Sequence, residues 1–224
     1  MPAGYSADSV RAAEAPLLAA GVPLMRRAAA GLAHELRREL RSADDRVLVL
    51  VGGGDNGGDA LFAAAELAAD GVRVDAVAAA ERMHPAGREA ALAAGVRLRP
   101  AAPLGEVVAL ARAAAVVVDG LVGIGSDSPA LRGVPRELVV ALLPVVAAPA
   151  GPRVVAVDVP SGIHPDSGDV PDAAVLPADV TVTFGAVKAG LLRAPASALA
   201  GEVRLVEIGL DLAGVTPLVP APPA

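Results

Sequence analysis

A chain of 224 residues, 54% hydrophobic and with a net charge of −6, has the size of one α/β domain that buries a sizeable core. The negative balance and the scarcity of aromatic residues, one Tyr and two Phe, argue against a nucleic-acid surface, which needs basic grooves or stacking platforms. The absence of cysteine excludes disulfides, zinc thiolates and thiol catalysis, and no leader-like segment or unbroken apolar run of about 20 residues marks a membrane protein, so a cytoplasmic location with no membrane partner is expected.

Taken in order, residues 6–20 read as a helix capped by Ser6, with Glu14 on its outer face. Past Gly21 and Pro23, a longer amphipathic helix runs from about Met25 to Arg41. These two helices serve as a cap, as a homodimer contact or as plain core packing. From Arg46 onward strand and helix alternate. Val47 to Val51 reads as a strand buried on both faces, which breaks into glycines before a helix beginning near Ala60. Val72 to Val77 is a second strand, His84 to Ala94 a helix, Val96 to Leu98 a short strand and Glu106 to Ala114 a helix. Ala115 to Asp119 is the next strand, Pro135 to about Val146 the next helix, and strands follow at Val154 to Val157, Val180 to Phe184 and Val203 to Ile208. This alternation predicts a three-layer α/β/α sandwich with a doubly wound, mainly parallel, Rossmann-like sheet. Residues 1–214 form one domain on this reading. Val215 to Ala224, with four prolines, reads as a tail or linker.

Ligands of doubly wound sheets bind beyond the carboxyl ends of the strands, where the strand order reverses. Three polar, glycine-rich loops fall at such ends: Gly52 to Asp59, Asp119 to Pro129 and Asp158 to Gly162. A 3-2-1-4-5 strand order brings them into one crevice. Asn56 is the only asparagine and Lys188 the only lysine of a chain whose other basic residues are all arginine, a bias of the kind a GC-rich genome imposes. Residues that survive such a bias mark places where a planar amide or a compact ammonium is needed. Asn56, Asp119 and Ser161 offer an amide oxygen, a carboxylate and a hydroxyl around one point, a set suited to a hard cation of modest charge. Glycine-exposed N–H groups beside them suit a pyrophosphate. Gly52, Gly54 and Gly57 also satisfy the dinucleotide pattern G-x-G-x-x-G, with Asp75 as a candidate ribose carboxylate at the end of the next strand.

The loops resemble those of the NAD(P)H-hydrate epimerase family, the YjeF N-terminal type. The resemblance rests on Gly52 to Asp59, Asp119 to Gly125 with Leu131-Arg-Gly133, Asp158-Val-Pro-Ser-Gly162 and the Ala178 to Gly190 segment ending around Lys188. It covers nearly the whole chain. Asp55 departs from it, standing where the family has a first Asn, as does Ala60, where Gly is frequent. The resemblance implies interconversion of the epimers of hydrated NADH and NADPH. It implies substrate contacts at Asp55, Asn56, Gly57, Gly58, Asp59, Gly123, Ile124, Gly125, Ser126, Asp127, Ser128, Pro129 and Asp158. Potassium (K+) ligands are implied at Asn56, Asp119 and Ser161, and an ADP- or ATP-dependent dehydratase is implied as a C-terminal or separate partner. Asp158 is the expected proton-transfer group, with Asp119 second, and Lys188 is expected to hold it or to touch the nicotinamide end. His34, His84 and His164 fit no motif. An NAD(P)-dependent dehydrogenase and a non-catalytic nucleotide-binding module remain as alternatives.

Overall fold

The computed structural model describes residues 2–101, 103–125 and 129–221. Among them, helices α1 (Ala7–Ala19) and α2 (Leu24–Glu39) precede strand β1 (Arg46–Val51), and then α3 (Asp55–Ala69), β2 (Arg73–Ala78), α4 (Pro85–Ala93), β3 (Arg97–Pro100), α5 (Leu104–Ala113), β4 (Val116–Gly120), α6 (Gly133–Val146), β5 (Arg153–Val157), β6 (Val180–Phe184) and β7 (Glu202–Val206) follow. Every strand pairing is parallel, in one seven-stranded sheet of order β3-β2-β1-β4-β5-β6-β7. This is the doubly wound sandwich the alternation predicts. The chain builds outward from β1 to β3, then returns to β4 on the other side of β1. The switch point lies between β1 and β4, as the crevice argument requires.

The period of two in the strands divides the core. Val47, Val49 and Val51 of β1, with Val116, Val118, Val155 and Val157, pack beneath α2 and α3. Leu48 and Leu50, with Val117, Val154 and Ala156, pack beneath α5 and α6. Leu24, Ala28, Leu32, Ala33 and Leu36 of α2 are buried in the first layer, so this face of α2 packs on the core. A third cluster, built on Val159, Ile163, Val175, Val187 and Leu191, fills the region after β5.

Three local expectations are corrected. Helix α3 begins at Asp55, inside the glycine-rich stretch, rather than at Ala60. Asp75 is not at a strand end. It pairs with Leu48 in mid-sheet and is claimed by the Arg97 and Arg99 guanidiniums at 2.6–3.0 Å, so it has no ribose to meet. Glu14 is half-buried rather than on an outer face. The proline-rich stretch is tied back to the fold, since Val219 and Gly4 exchange backbone hydrogen bonds of 2.7 and 3.0 Å and Arg193 reaches the Leu218 carbonyl at 3.1 Å.

Candidate active site

The glycine loop is shaped by close approach. Gly52 donates its N–H to the Gly120 carbonyl at 3.0 Å, and a Cβ on Gly52 would lie 1.7 Å from the Leu121 carbonyl oxygen. A Cβ on Gly57 would lie 2.2 Å from the Gly52 carbonyl oxygen, so the first turn of α3 folds back onto the loop. Gly54 caps α3 without a side-chain bond, and the first intrahelical bond runs from Gly58 N–H to the Gly54 carbonyl at 3.2 Å. The amides of Asp55, Asn56 and Gly57 therefore have no partner within the helix and sit at its positive end.

The second and third loops close on this turn. Asn56 is buried and donates from Nδ2 to the Val157 carbonyl at 2.6 Å, which latches α3 to the end of β5. Its Oδ1 lies so close to Gly123 that a Cβ there would stand 2.1 Å away. Asp119 is fully buried. Its Oδ1 accepts the Ser161 hydroxyl at 2.6 Å and the Leu121 N–H at 3.3 Å, and its Oδ2 accepts the Ser161 N–H at 2.8 Å. Burial raises the Asp119 carboxyl above its usual range, against the pull of the Ser161 and Leu121 hydrogen bonds. The Ser161 oxygen also accepts the Val122 N–H at 2.9 Å. Asn56 and Ser161 thus meet the Val122–Gly123 segment, and Asp119 joins them through its bonds with Ser161.

Asp158 follows β5 with φ at 65°, the one non-glycine residue of positive φ among the described residues. Its Oδ1 accepts the Thr183 hydroxyl and the Phe184 N–H, each at 3.1 Å, and the Lys188 ammonium. Its Oδ2 takes no hydrogen bond among the described residues, on a side chain 6% exposed. Lys188, also buried, donates further to the Phe184 carbonyl at 2.8 Å. The N-terminal segment holds the lysine's backbone from both sides: Tyr5 N–H reaches the Val187 carbonyl and Ala189 N–H reaches the Tyr5 carbonyl, each at 2.8 Å.

Three further acids, Asp59, Asp55 and Glu14, lie within electrostatic reach of this pair. Asp59 is buried, and its Oδ1 has no hydrogen-bond partner among the described residues. Burial drives the Asp59 carboxyl well above its usual range, reinforced by the negative charges of Asp158, Asp55 and Glu14 and only partly offset by Lys188. Glu14 is raised by its own burial, with Lys188 pulling it down and Asp158 and Asp55 pushing it up. Helix α1 therefore joins the site, and it clamps the second loop as well, with Arg11 donating to the Ile124 carbonyl at 2.7 Å. The sequence held no signal for either residue except helical spacing, which cannot say what a helix faces.

Of the remaining expected contacts, Gly57 and Gly58 are buried, Gly123, Ile124 and Pro129 half-buried, and Asp55 and Gly125 exposed. Ser126, Asp127 and Ser128 lie outside the described residues. Two of the histidines are engaged with backbone N–H groups. His84 caps α4 through Nδ1, and His164 Nδ1 accepts the N–H groups of Asp166 and Ser167 in a turn.

Known proteins carry the same arrangement of sequence. The family model described as "YjeF-related protein N-terminus" matches residues 21–190. A protein of Clavibacter michiganensis subsp. michiganensis named NAD(P)H-hydrate epimerase is 60% identical over 221 residues, covering 97% of this chain and 95% of the relative. The "Bifunctional NAD(P)H-hydrate repair enzyme Nnr" of Mycobacterium tuberculosis is 46% identical over 220 residues, 93% of this chain but 42% of that protein. Among solved structures, yeast ynu0 (YNL200c) superposes with a TM-score of 0.72 at 20% identity, covering 84% of this chain and 82% of its own. No described helix is long and apolar enough to cross a membrane.

Proposed function

The chain belongs to the YjeF-related N-terminal family, and we propose that it is an isomerase that interconverts the R and S epimers of hydrated NADH and NADPH. The observation that carries the reading is the buried Asp158, bonded among the described residues through Oδ1 alone and following the residue to which Asn56 in the first turn of α3 is bonded. In the hydrate, the C6 hydroxyl stands next to the ring nitrogen, whose lone pair expels it once the oxygen is protonated. Water then returns to the opposite face and gives up a proton. Positioned acid–base groups contribute about 10²–10⁴-fold to such steps, and no redox change is involved.

The first-turn amides of Asp55, Asn56 and Gly57 bind the substrate pyrophosphate, as helix N-termini bind phosphates. Asp158 takes the proton of the entering water through Oδ2. Lys188, fixed by the Phe184 carbonyl and by the flanking Tyr5 bonds, positions that carboxylate. The donor set of Asn56, Asp119 and Ser161 suits potassium: a carboxylate and a hydroxyl in mutual contact, an amide oxygen beside Gly123, and one acid in the set. Gly123, where a Cβ would displace the Asn56 oxygen, supports the fit. Such an ion would supply positive charge to this crevice, offsetting Asp55 and its acidic neighbours. The test is whether purified protein speeds exchange between chromatographically resolved hydrate epimers. No acceleration over the spontaneous rate, with and without potassium, overturns the reading.

A further inference from the structure

We propose that Asp59 is a second acid of the active site, held as the neutral carboxylic acid, and that it gives its proton to the departing C6 hydroxyl while Asp158 takes one from the entering water. The inference rests on the epimerase reading and assigns the donor that reading leaves open. Asp158 is salt-bridged to Lys188. A carboxylate paired with an ammonium starts as the proton acceptor for one epimer. For the opposite epimer the reaction runs back through the protonated Asp158 and ionised Asp59, and the two acids exchange roles.

Asp59 is placed and prepared for the complementary role. It lies three residues after Asn56 on α3, hence on the same face, and the Asn56 amide is bonded to the carbonyl directly before Asp158. Its Oδ1 is buried with no partner among the described residues. An ionised carboxylate with a bare buried oxygen is costly, whereas the neutral acid is far less so. The charged groups that face it come from α1, α3, the end of β5 and the segment after β6. Glu14, Asp55 and Asp158 disfavour a further negative charge, and Lys188 alone favours it. Two carboxyl groups in one crevice, one salt-bridged and one bare, are thereby divided into base and acid. A neutral Asp59 also lightens the negative charge that a pyrophosphate meets at this loop.

The steps balance. The C6–O bond breaks with its electron pair on oxygen, the nitrogen lone pair becomes the C6–N π bond, and the Asp59 proton completes the leaving water. The ring gains the positive charge and Asp59 the negative one. A water oxygen then bonds C6 from the other face, the π pair returns to nitrogen, and the water's proton passes to Asp158. Proton exchange with solvent restores both acids.

The test compares epimer exchange by the wild type, Asp59→Asn and Asp59→Ser across pH, alongside their infrared spectra in the carboxyl region. Both variants are expected to lose turnover on the order of a hundredfold or more, with KM little changed. The wild-type rate is expected to fall at alkaline pH, as an acid required in its protonated form is lost, and the variants to lack that limb. A protonated-carboxyl band present in the wild type at neutral pH is expected to disappear in both, which holds as a readout even where one variant packs poorly. Wild-type turnover in Asp59→Asn, an alkaline limb that survives in it, or no carboxyl band lost overturns the proposal. A wild type that exchanges nothing sinks the epimerase reading instead and this proposal with it. The two failures are told apart because the wild type itself is then inactive.

Discussion

Lys188 and Asp158, 30 residues apart, close a salt bridge in which the lysine is 1% and the aspartate 6% exposed. Neither charge has water to fall back on. Removing one partner from such a pair strands the other, at a cost of about 3–5 kcal/mol. Lys188→Met is therefore expected to lower unfolding stability by that amount in a urea titration and to lose epimer exchange. A variant as stable as the wild type would show that the pair contributes no net stability.

Gly123→Ala tests the meeting of the first two loops. Its Cβ would overlap the Asn56 side-chain oxygen at 2.1 Å, so the amide must leave its place while Asp119 and Ser161 keep their mutual bonds. Exchange activity in the variant is expected to need more potassium than in the wild type. Asp119→Asn, which replaces the one carboxylate of the set, is expected to raise the requirement further. Potassium titrations of the three proteins check this. An identical half-saturating concentration in all three removes potassium from the proposed site.

Much of this was legible in the sequence, for physical reasons. The strands at Val47–Val51 and Val180–Phe184 announce themselves because both faces are buried, which leaves near-continuous β-branched runs between breakers. Alternation alone leaves two common strand orders open, and the structure has the 3-2-1-4-5 one. The singular Asn56 and Lys188 drew notice only because codon bias had emptied the background. Asp59 was visible as a motif member, yet its bare oxygen depends on three-dimensional packing and has no sequence mark. Glu14 was placed on an outer face and Arg11 was passed over because one helix offers several partly polar faces, and which of them meets the crevice depends on how α1 docks. Asp75 misled by matching a spacing. Only the register with β1 and the two arginines of β3 show that it is occupied.

A pH-dependent contribution to stability lies at the last residue of α2, beside the start of β5. Burial works to raise the Glu39 carboxyl, but hydrogen bonds from Arg204 and Arg153 outweigh it and hold the group below its ordinary value of 4.5. The bonds measure 2.6 Å from Arg153 and 2.8 Å from Arg204. A depressed carboxyl stabilises the fold above its unfolded value, and this stability is lost as pH falls through the folded value. Glu39→Gln is expected to cost about 1.5–3 kcal/mol at neutral pH, with the gap closing in acid below the ordinary glutamate range. A gap that stays constant with pH would assign the cost to packing.

Asp158→Asn separates chemistry from architecture. The position has φ at 65°, a region where asparagine and aspartate are tolerated better than other side chains, so the backbone at the end of β5 is expected to keep its course. Asparagine can still accept the Thr183 and Phe184 hydrogen bonds, but it cannot take a proton from water. Turnover is expected to fall on the order of a hundredfold or more, with substrate binding retained. The variant also leaves the Lys188 ammonium buried without its anion, so part of its stability is expected to go as well. Pairing it with Lys188→Met removes the stranded charge. The double variant is expected to regain stability relative to Asp158→Asn and to remain inactive. Parallel urea titrations and exchange assays read the two effects apart. If the double variant recovers turnover together with stability, Asp158 is a structural anchor, and the proton acceptor must be sought among Glu14, Asp55 and Asp119. If instead Asp158→Asn turns over normally while Asp119→Asn is inactive at every potassium concentration, the acceptor is Asp119, and Asp158 serves only to hold the loop.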